Sequence, residues 1–475
     1  PYGSHRAVRH DTGVPVQMAA SRHTAYMCNL PDVEFKLVAS DFVPVTLNIT
    51  DSQTKKPVTD YTIQILDEDK KETKVTDGVF KGFIGKTYSY VICASGYIYK
   101  TGTIEIPADT ESITKTIRLT PADAQAWDGQ TMTEPKQSDG VYQIGTGAEL
   151  YWFANEVKTK YTINAVLTAD IDLAGYKWTP IKPNSSSYGY AGTFDGQGHT
   201  VKNLYVDNVQ GAGLFGQVTG QIKNLTVEGN IYASTATHAG GIAGMLKENA
   251  GKTVLISNCV SKVNITFTGT SNYVYAGGIV GYCGANSDTS TNVIENCSYY
   301  GTITAENGSC VGGILGAMIN RNVTIKNSTN YGTITAKNNV GGILGIHNES
   351  SPKAPAGRIL GCYNAGTVSG QTNVGGIAGC FKGKTTNDAV VEMSGCYSAG
   401  DVLSTDQTKE ETIFAGQSAN MRLSNCVYSC VDEASSTVAK DQAVYVSPAD
   451  IAAVKKLTTE MVSKKADKAT LDRVA

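Results

Sequence analysis

The sequence lacks the features that mark several common function classes. Lys and Arg (40) nearly balance Asp and Glu (43), so no basic surplus indicates nucleic acid, and no lysine-rich run indicates a membrane surface. No apolar run is long enough to cross a bilayer. None of the six histidines forms the HExxH pair of a zinc peptidase. We therefore expect no nucleic-acid partner, no membrane insertion in this segment and no zinc-peptidase chemistry.

The N-terminal residues also lack the marks of a translation start. PYGSHRAVRHD has no initiator Met, and no apolar core follows its basic residues. We expect the chain to be part of a longer protein, with residues 1–43 as the edge of an upstream domain. The spacing of His5, His10 and His23 matches no known ligand pattern. The sequence therefore predicts no metal site and no cofactor.

Short alternating segments follow, over residues 44–120. VPVTLNIT, DYTIQILD and TYSYVICA place apolar residues near every second position, and polar turn sequences separate them. This pattern predicts a small antiparallel β-sandwich. SYVICASGYIYKTGTIEI resembles the immunoglobulin-like modules of bacterial surface proteins, including the Cna-B-like and carboxypeptidase-regulatory-like families.

The next segment, 121–139, is polar with two prolines and is expected to be a linker. Thr146-Gly-Ala-Glu149 is a capping box that predicts a helix over about 147–158. We expect this helix to cover the N-terminal end of the domain that follows, and residues 441–475 to form a helical cap or tail at its other end.

One motif then repeats along the rest of the chain. VGGILG occupies Val311–Gly316, recurs at Val340–Gly345, and becomes VGGIAG at Val374–Gly379. Looser copies lie at Ala239–Gly244 and Ala276–Gly281. No single repeat has two faces that could bury a core, whereas stacked repeats would bury a continuous one. The fold class we predict is all-β: a parallel β-helix over residues 140–440, preceded by the sandwich.

Small residues form a column in the same alignment, at Cys259, Cys297, Ser328, Cys362, Cys396 and Cys426. Eleven cysteines are too few for a disulfide scaffold in a chain of 475 residues. We predict that the column points inward as free thiols, since stacked side chains do not suit disulfide geometry. The glycine pairs predict corners with positive φ or close backbone contact.

The repeats GGIAG, GGIVG and GGILG, together with GTFDGQGHTVKNLYV upstream, resemble the GLUG repeats of bacterial surface proteins. Such repeats occur in adhesins and in the non-catalytic parts of immunoglobulin A peptidases. The resemblance implies an extracellular or cell-surface location and a non-catalytic role in adhesion, recognition or spacing. It also implies a partner that is a glycan or protein on a host or neighbouring cell.

An enzyme is the alternative, because many polysaccharide lyases and polygalacturonases are parallel β-helices. FDGQGHT at Phe194–Thr200 resembles the early coils of those families. Asp170, Asp172 and Asp195 are candidate carboxylates and His199 is a candidate base, but turn chemistry favours a structural role for all four. An accessory region of a large exoenzyme is a further alternative.

Two sets of residues are candidates for binding. Tyr300 and Tyr331 share one column, and Tyr363 and Tyr397 share another; such rungs either bind a partner or simply cover the outer wall. The second set lies in insertions between the GGI strand and the next Cys strand, over 246–254, 283–293, 346–358 and 381–390. These insertions are expected on one side of the stack, and their candidate residues are Asn286, Asp288, His347, Asn348 and Lys384.

Overall fold

The computed structural model describes residues 42–405 and several strands outside that range. Gaps within 42–405 fall at 69–70, 95, 109, 123–125, 184–188, 234–237, 250, 268–273, 286–290, 321–322, 349–356 and 383–390. The outer strands are 6–9, 15–16, 35–38, 415–417, 421–424, 426–428 and 443–445. The chain forms two compact units, Pro1–Pro121 and Ala122–Ala475.

The first unit contains the expected β-sandwich, but it is not wholly antiparallel, since Phe42–Asp51 and Ile113–Pro121 pair in parallel. One sheet has four strands: Val79–Phe83, Phe42–Asp51, Ile113–Pro121 and Tyr97–Ile98. The other has three: Tyr61–Leu66, Thr87–Ala94 and Lys100–Glu105. Alternate residues such as Val45, Ile65 and Ile92 point into one buried core, which explains the period of two in the sequence. A separate antiparallel sheet is formed by Arg6–Arg9, Pro15–Val16 and Phe35–Val38.

The second unit is a stack of coils with three sheets, which we call walls. The first wall has the strands Lys136–Ser138, Val141–Ile144, Asn164–Leu167, Thr193–Asp195, Gln221–Lys223, Thr253–Ser257, Thr291–Glu295, Val323–Lys326, Arg358–Leu360, Val391–Ser394 and Met421–Ser424. The third wall has Phe215–Val218, Ala243–Lys247, Val280–Ala285, Leu315–Asn320, Leu344–Asn348, Ala378–Lys382 and Ala415–Gln417.

The second wall lies between these two along each coil. Its strands are Ile171–Asp172, Thr200–Asp207, Thr226–Ala233, His238–Gly240, Val260–Phe267, Tyr275–Gly277, Ser298–Tyr299, Thr302–Gly312, Thr329–Asn330, Thr333–Gly341, Tyr363–Asn364, Val368–Gly370, Thr372–Gly375, Tyr397–Ser398, Val402–Ser404, Cys426–Tyr428 and Ala443–Tyr445. Neighbouring coils pair in parallel in each wall.

The register of the stack confirms the parallel β-helix. The aliphatic column that the repeats align is paired strand by strand, at Ile265, Ile303, Ile334, Val368 and Val402. One apolar core runs through the stack from Trp127 to Cys396. In the part of the chain that the structure describes, no helix is long and apolar enough to cross a membrane.

The cysteine column points inward, as predicted. Cys259, Cys297, Cys362 and Cys396 are each at most 1% exposed, and all four are free thiols. Each thiol donates a long hydrogen bond to the carbonyl two residues earlier, for example Cys259 Sγ to Ser257 O at 3.3 Å. Burial raises the pKa of Cys297 well above its ordinary value. The column therefore fills space as a set of small apolar side chains.

The N-terminal end of the stack is closed by helix α1, Gly147–Glu156. Its capping box is present: Thr146 Oγ1 accepts from Glu149 N at 3.2 Å, and the Glu149 carboxylate accepts from Thr146 N at 3.0 Å. Phe153 packs against Phe194 of the first wall with 5.8 Å between ring centroids. The apolar stripe of α1 thus covers the end of the core.

Part of the segment expected to be a linker also belongs to this end of the stack. Trp127 is buried, and its ring lies 4.7 Å from Tyr151 and 5.6 Å from Trp178. Lys136–Ser138 is the first strand of the first wall. The prolines indicate an irregular backbone, but they do not show whether the side chain of Trp127 packs into the core.

The glycine pairs serve close packing and not positive φ. Among the described residues, one corner with positive φ lies immediately before the cysteine column, at Asn258, Asn296, Asn327, Gly361 and Gly395. Another lies immediately before the motif itself, at Cys310, Asn339 and Asn373, and not at its glycines. At the second glycine of each pair, atoms inside the coil already occupy the space that a side chain would need. A Cβ on Gly313 would lie 2.5 Å from Asn330 Cγ and would overlap the backbone oxygen of Gly342.

The side chains beneath these glycines form a buried polar column: Ser261, Tyr299, Asn330, Asn364 and Ser398. Asn330 Nδ2 donates to Asn364 Oδ1 at 2.8 Å, and Asn330 Oδ1 accepts from Gly332 N at 3.0 Å. The motif VGGILG therefore opens room on the second wall for an inward amide that is held by its neighbours.

Candidate functional site

Four tyrosines project from the second wall on successive coils. Tyr363 and Tyr397 are paired in register, and Tyr300 and Tyr331 directly follow the inward residues Tyr299 and Asn330, which are paired with each other. Since successive side chains of a strand point to opposite faces, Tyr300 and Tyr331 point outward.

The structure joins the two predicted columns into one tyrosine ladder. Tyr300 and Tyr331 are stacked with 4.8 Å between ring centroids and 11° between planes. Tyr363 and Tyr397 are stacked at 5.0 Å and 3°. Tyr331 and Tyr363 meet edge to face at 6.3 Å and 86°. The ladder is therefore continuous over four coils.

The two ends of the ladder differ in exposure. The side chains of Tyr300 and Tyr331 are 51% and 46% exposed. Tyr363 and Tyr397 are half-buried, and within the described part of the chain their hydroxyl oxygens have no hydrogen-bond partner. Burial raises the pKa of Tyr331 and of Tyr397 above the ordinary tyrosine value, so these two hydroxyl groups stay protonated at physiological pH.

The surroundings of the exposed rings are polar with paired charges. Thr302 and Thr333 are exposed two residues further along the same face. On the two preceding coils, Lys262 and Glu228 occupy the register position of Tyr300. They form an ion pair with 2.8 Å between Lys262 Nζ and Glu228 Oε1. Tyr300 and Tyr331 thus offer ring edges and hydroxyl groups on an almost uncharged strip, whereas the hydroxyl oxygens of Tyr363 and Tyr397 are buried.

The second predicted set, in the insertions, is only partly described. All four insertions connect the third wall to the first wall, so they emerge at one corner as expected. Asn286, Asp288 and Lys384 lie outside the described residues. Asn348 is exposed at that corner.

His347 does not reach that surface. It is 2% exposed and points into the core beside Phe381, with 6.2 Å between ring centroids. Burial lowers its pKa to about 4. The polar sequence HNES indicates a loop, but the third-wall strand extends through Asn348 and turns the imidazole inward.

The candidate carboxylates of the enzyme alternative are held by turn and ladder hydrogen bonds. Asp170 accepts from Thr200 N at 2.9 Å and lies 3.2 Å from His199 Nδ1. Asp172 Oδ1 accepts from Ala174 N at 2.8 Å and from Asn203 Nδ2 at 2.7 Å.

Asp195 is held in the same way, by Gln197 N and Asn224 Nδ2, both at 2.9 Å. The bond from Thr200 N lowers the pKa of Asp170. For Asp195, burial raises the pKa, but the bonds from Asn224, Gln197 and Lys223 outweigh it, and the net shift is downward. A glycosidase acid needs the opposite shift.

The described residues also bear on metal binding. Among them, no group of three or more His, Cys, Asp or Glu side chains is arranged to hold a metal ion. His5, His10 and His23 lie outside the described residues.

Sequence reasoning missed an aromatic cluster at another corner, formed by His238, Tyr275 and Tyr282. His238 and Tyr275 are paired on the second wall, and both rings contact Tyr282 of the third wall. The signal was present in the repeats: THAGG and VYAGG place a ring two residues before the glycine pair.

Comparison with known proteins finds solved structures that are similar to this chain. A crystal structure from Bacteroides ovatus, provisionally described as an immunoglobulin A1 protease, is similar to this chain with a TM-score of 0.46 and 22% identity. The match covers 61% of this chain and 87% of that chain. No protein-family model matches the sequence, and no curated protein matches it.

Proposed function

We propose that residues 122–475 form a non-catalytic recognition module of a bacterial cell-surface or secreted protein. The tyrosine ladder contacts a protein on a host or neighbouring cell, and the coils hold the ladder rigid. The observation that carries this proposal is the continuous contact of four rings from four successive coils on the outside of the second wall.

The ring geometry favours a protein surface over a sugar chain at the ladder. Sugars bind aromatic residues through exposed ring faces, whereas near-parallel stacking in the ladder directs the faces of Tyr300 and Tyr331 towards each other. Edges and hydroxyl groups remain available. Tyrosine is enriched at protein interfaces because it combines an apolar body with a polar tip and loses little conformational entropy.

The early coils support a non-catalytic role. Asp170, Asp172 and Asp195 each accept hydrogen bonds that fix a turn or a neighbouring coil. The pKa shifts of Asp170 and Asp195 keep these groups ionised, so neither is suited to protonate a leaving group.

The proposal is tested by binding of the fluorescently labelled protein to cultured epithelial cells and to immobilised mucin. Tyr300→Ala/Tyr331→Ala should weaken binding by about tenfold or more, since central aromatic anchors contribute about 2 kcal/mol or more to an interface. Tyr331→Phe, which keeps the ring, should retain most of the binding.

A matched control is Arg358→Ala/Glu392→Ala, an exposed pair on the first wall. It should bind as the wild type does. Equal binding by the wild type and the tyrosine double variant, with unchanged circular dichroism, would show that the ladder only covers the wall.

A further inference from the structure

The outer surface between the second and third walls is concave. Met245, Tyr282, Ala317 and Ile346 occupy one register position on the third wall and lie outside the main core. Ala317, Ile346 and Cys380 instead form a separate apolar cluster with Cys310 of the second wall. Outward side chains of two adjacent walls contact each other only where the walls meet at an inward angle. We call this concave surface the corner groove.

Two columns line the corner groove. The second-wall column is His238, Tyr275, Cys310, Asn339 and Asn373. The third-wall column is Gln217, Met245, Tyr282, Ala317, Ile346 and Cys380. Neither column contains a carboxylate, an ammonium or a guanidinium group. The lining is therefore aromatic, amide and apolar.

The N-terminal end of the groove holds the aromatic cluster. His238 and Tyr275 are stacked at 5.4 Å with 28° between planes. The Tyr282 ring lies 4.9 Å from the His238 ring at 83°, and 5.5 Å from the Tyr275 ring. All three side chains are partly exposed, and burial lowers the pKa of His238 to about 4, so its imidazole is uncharged at neutral pH.

A buried amide without a partner lies at the same end. Gln217 precedes Met245 in the third-wall column and is completely buried. Within the described part of the chain, neither its Oε1 nor its Nε2 has a hydrogen-bond partner. Leaving such an amide unsatisfied costs about 1–3 kcal/mol, so its retention calls for a reason beyond packing.

We propose that this end of the corner groove binds a neutral saccharide. The ring of Tyr282, which is not stacked on either neighbour, contacts the apolar face of a sugar ring, and the rings of Tyr275 and His238 flank it. The Gln217 amide donates to one hydroxyl group and accepts from another, after the unbranched side chain of Met245 turns aside. The absence of charge in both columns selects against uronate and sulfated polymers. The groove is distinct from the tyrosine ladder and does not depend on the function proposed for it.

Gln217→Met separates a ligand role from a structural one. Methionine is the residue that occupies the next position of the column, so the substitution keeps an unbranched side chain and removes the unsatisfied amide. If Gln217 only fills space, the variant should be at least as stable and bind normally. If it binds a saccharide, the variant should be at least as stable and bind at least about tenfold more weakly, because both hydrogen bonds of the amide are lost.

The experiment is affinity electrophoresis of the full chain in gels that contain yeast mannan, barley β-glucan or arabinogalactan, with polygalacturonate and heparin as acidic probes. We expect retardation by at least one neutral polymer and by neither acidic one. Tyr282→Ala and Gln217→Met should each be retarded much less than the wild type, whereas Tyr300→Ala/Tyr331→Ala should be retarded as the wild type is.

Three results would overturn the proposal: no retardation by any neutral polymer, retardation only by the acidic ones, or wild-type retardation of Gln217→Met. The ladder variant is assayed beside the groove variants. A negative result for saccharide binding by the groove therefore does not affect the proposed cell binding by the ladder, and a negative result for the ladder does not affect the groove.

Discussion

Gly313→Ala should destabilise the stack far more than an ordinary glycine substitution. The new Cβ would lie 2.5 Å from Asn330 Cγ and 2.7 Å from Asn330 Oδ1, so the amide must move. Its movement breaks the 2.8 Å bond to Asn364 and the 3.0 Å bond from Gly332 N. Overpacking of this kind costs about 1–3 kcal/mol, and a buried amide left unpaired costs about 1–3 kcal/mol more.

We therefore expect a loss of about 3–5 kcal/mol in the free energy of unfolding. Urea denaturation followed by far-ultraviolet circular dichroism measures it, and hydrogen exchange shows whether the loss is local to these coils. Gly308→Ala is the control, because its Cβ would meet nothing closer than 3.1 Å. It should cost about 1 kcal/mol or less.

A double-mutant cycle with Asn330→Ala tests the cause. Asn330→Ala removes the side chain that the new Cβ displaces, so the two substitutions should couple favourably by about 1 kcal/mol or more. The overlap with the Gly342 backbone oxygen stays, so part of the loss should remain in the double variant. Strict additivity, or a Gly313→Ala variant as stable as Gly308→Ala, would refute the account of the glycine pairs.

Three further predictions concern the rest of the stack. Thiol labelling of the folded protein should leave four buried thiols unmodified: Cys259, Cys297, Cys362 and Cys396. Fast labelling of these thiols would contradict their inward register. Thr146→Ala should destabilise helix α1 by about 1 kcal/mol, measured by amide exchange of Leu150, and unchanged protection would argue against the capping box. Burial lowers the pKa of His347 from 6.5 to about 4, so the unfolded chain binds a proton that the folded chain does not. The free energy of unfolding should fall as the pH drops from about 6.5 to 4, by up to about 3 kcal/mol for this group, and His347→Leu should flatten that dependence; an unchanged profile would contradict burial.

Column positions could be predicted because repeats report them several times. The inward thiols and the aliphatic column at Ile303 and Ile334 are set by alignment alone, since a parallel stack places equivalent residues over one another. The capping box of α1 is equally local, because both partners lie within four residues. The same alignment predicted the two tyrosine columns. It could not predict that Tyr331 contacts Tyr363, because these residues stand in different columns and their contact depends on the sideways distance between the columns.

Other features depend on long-range contacts that no single repeat encodes. Asn330 in NSTNYG looks like a turn residue, yet it is buried because Gly313 of the preceding coil leaves room for it. Trp127 lies in a polar, proline-containing segment, and its burial depends on Tyr151 and Trp178. The corner groove follows from the angle between two walls, which the periodicity of the sequence does not contain.

The most direct test of the tyrosine ladder as the recognition surface is tyrosine nitration footprinting of the protein free and bound to the cells it adheres to. Mass spectrometry reads nitration of each tyrosine. The account predicts that Tyr300 and Tyr331, exposed in the free protein, become protected on binding. Partly exposed tyrosines of the β-sandwich, such as Tyr61, should not change. If the protein binds the cells while Tyr300 and Tyr331 stay fully reactive towards nitration, the account is contradicted.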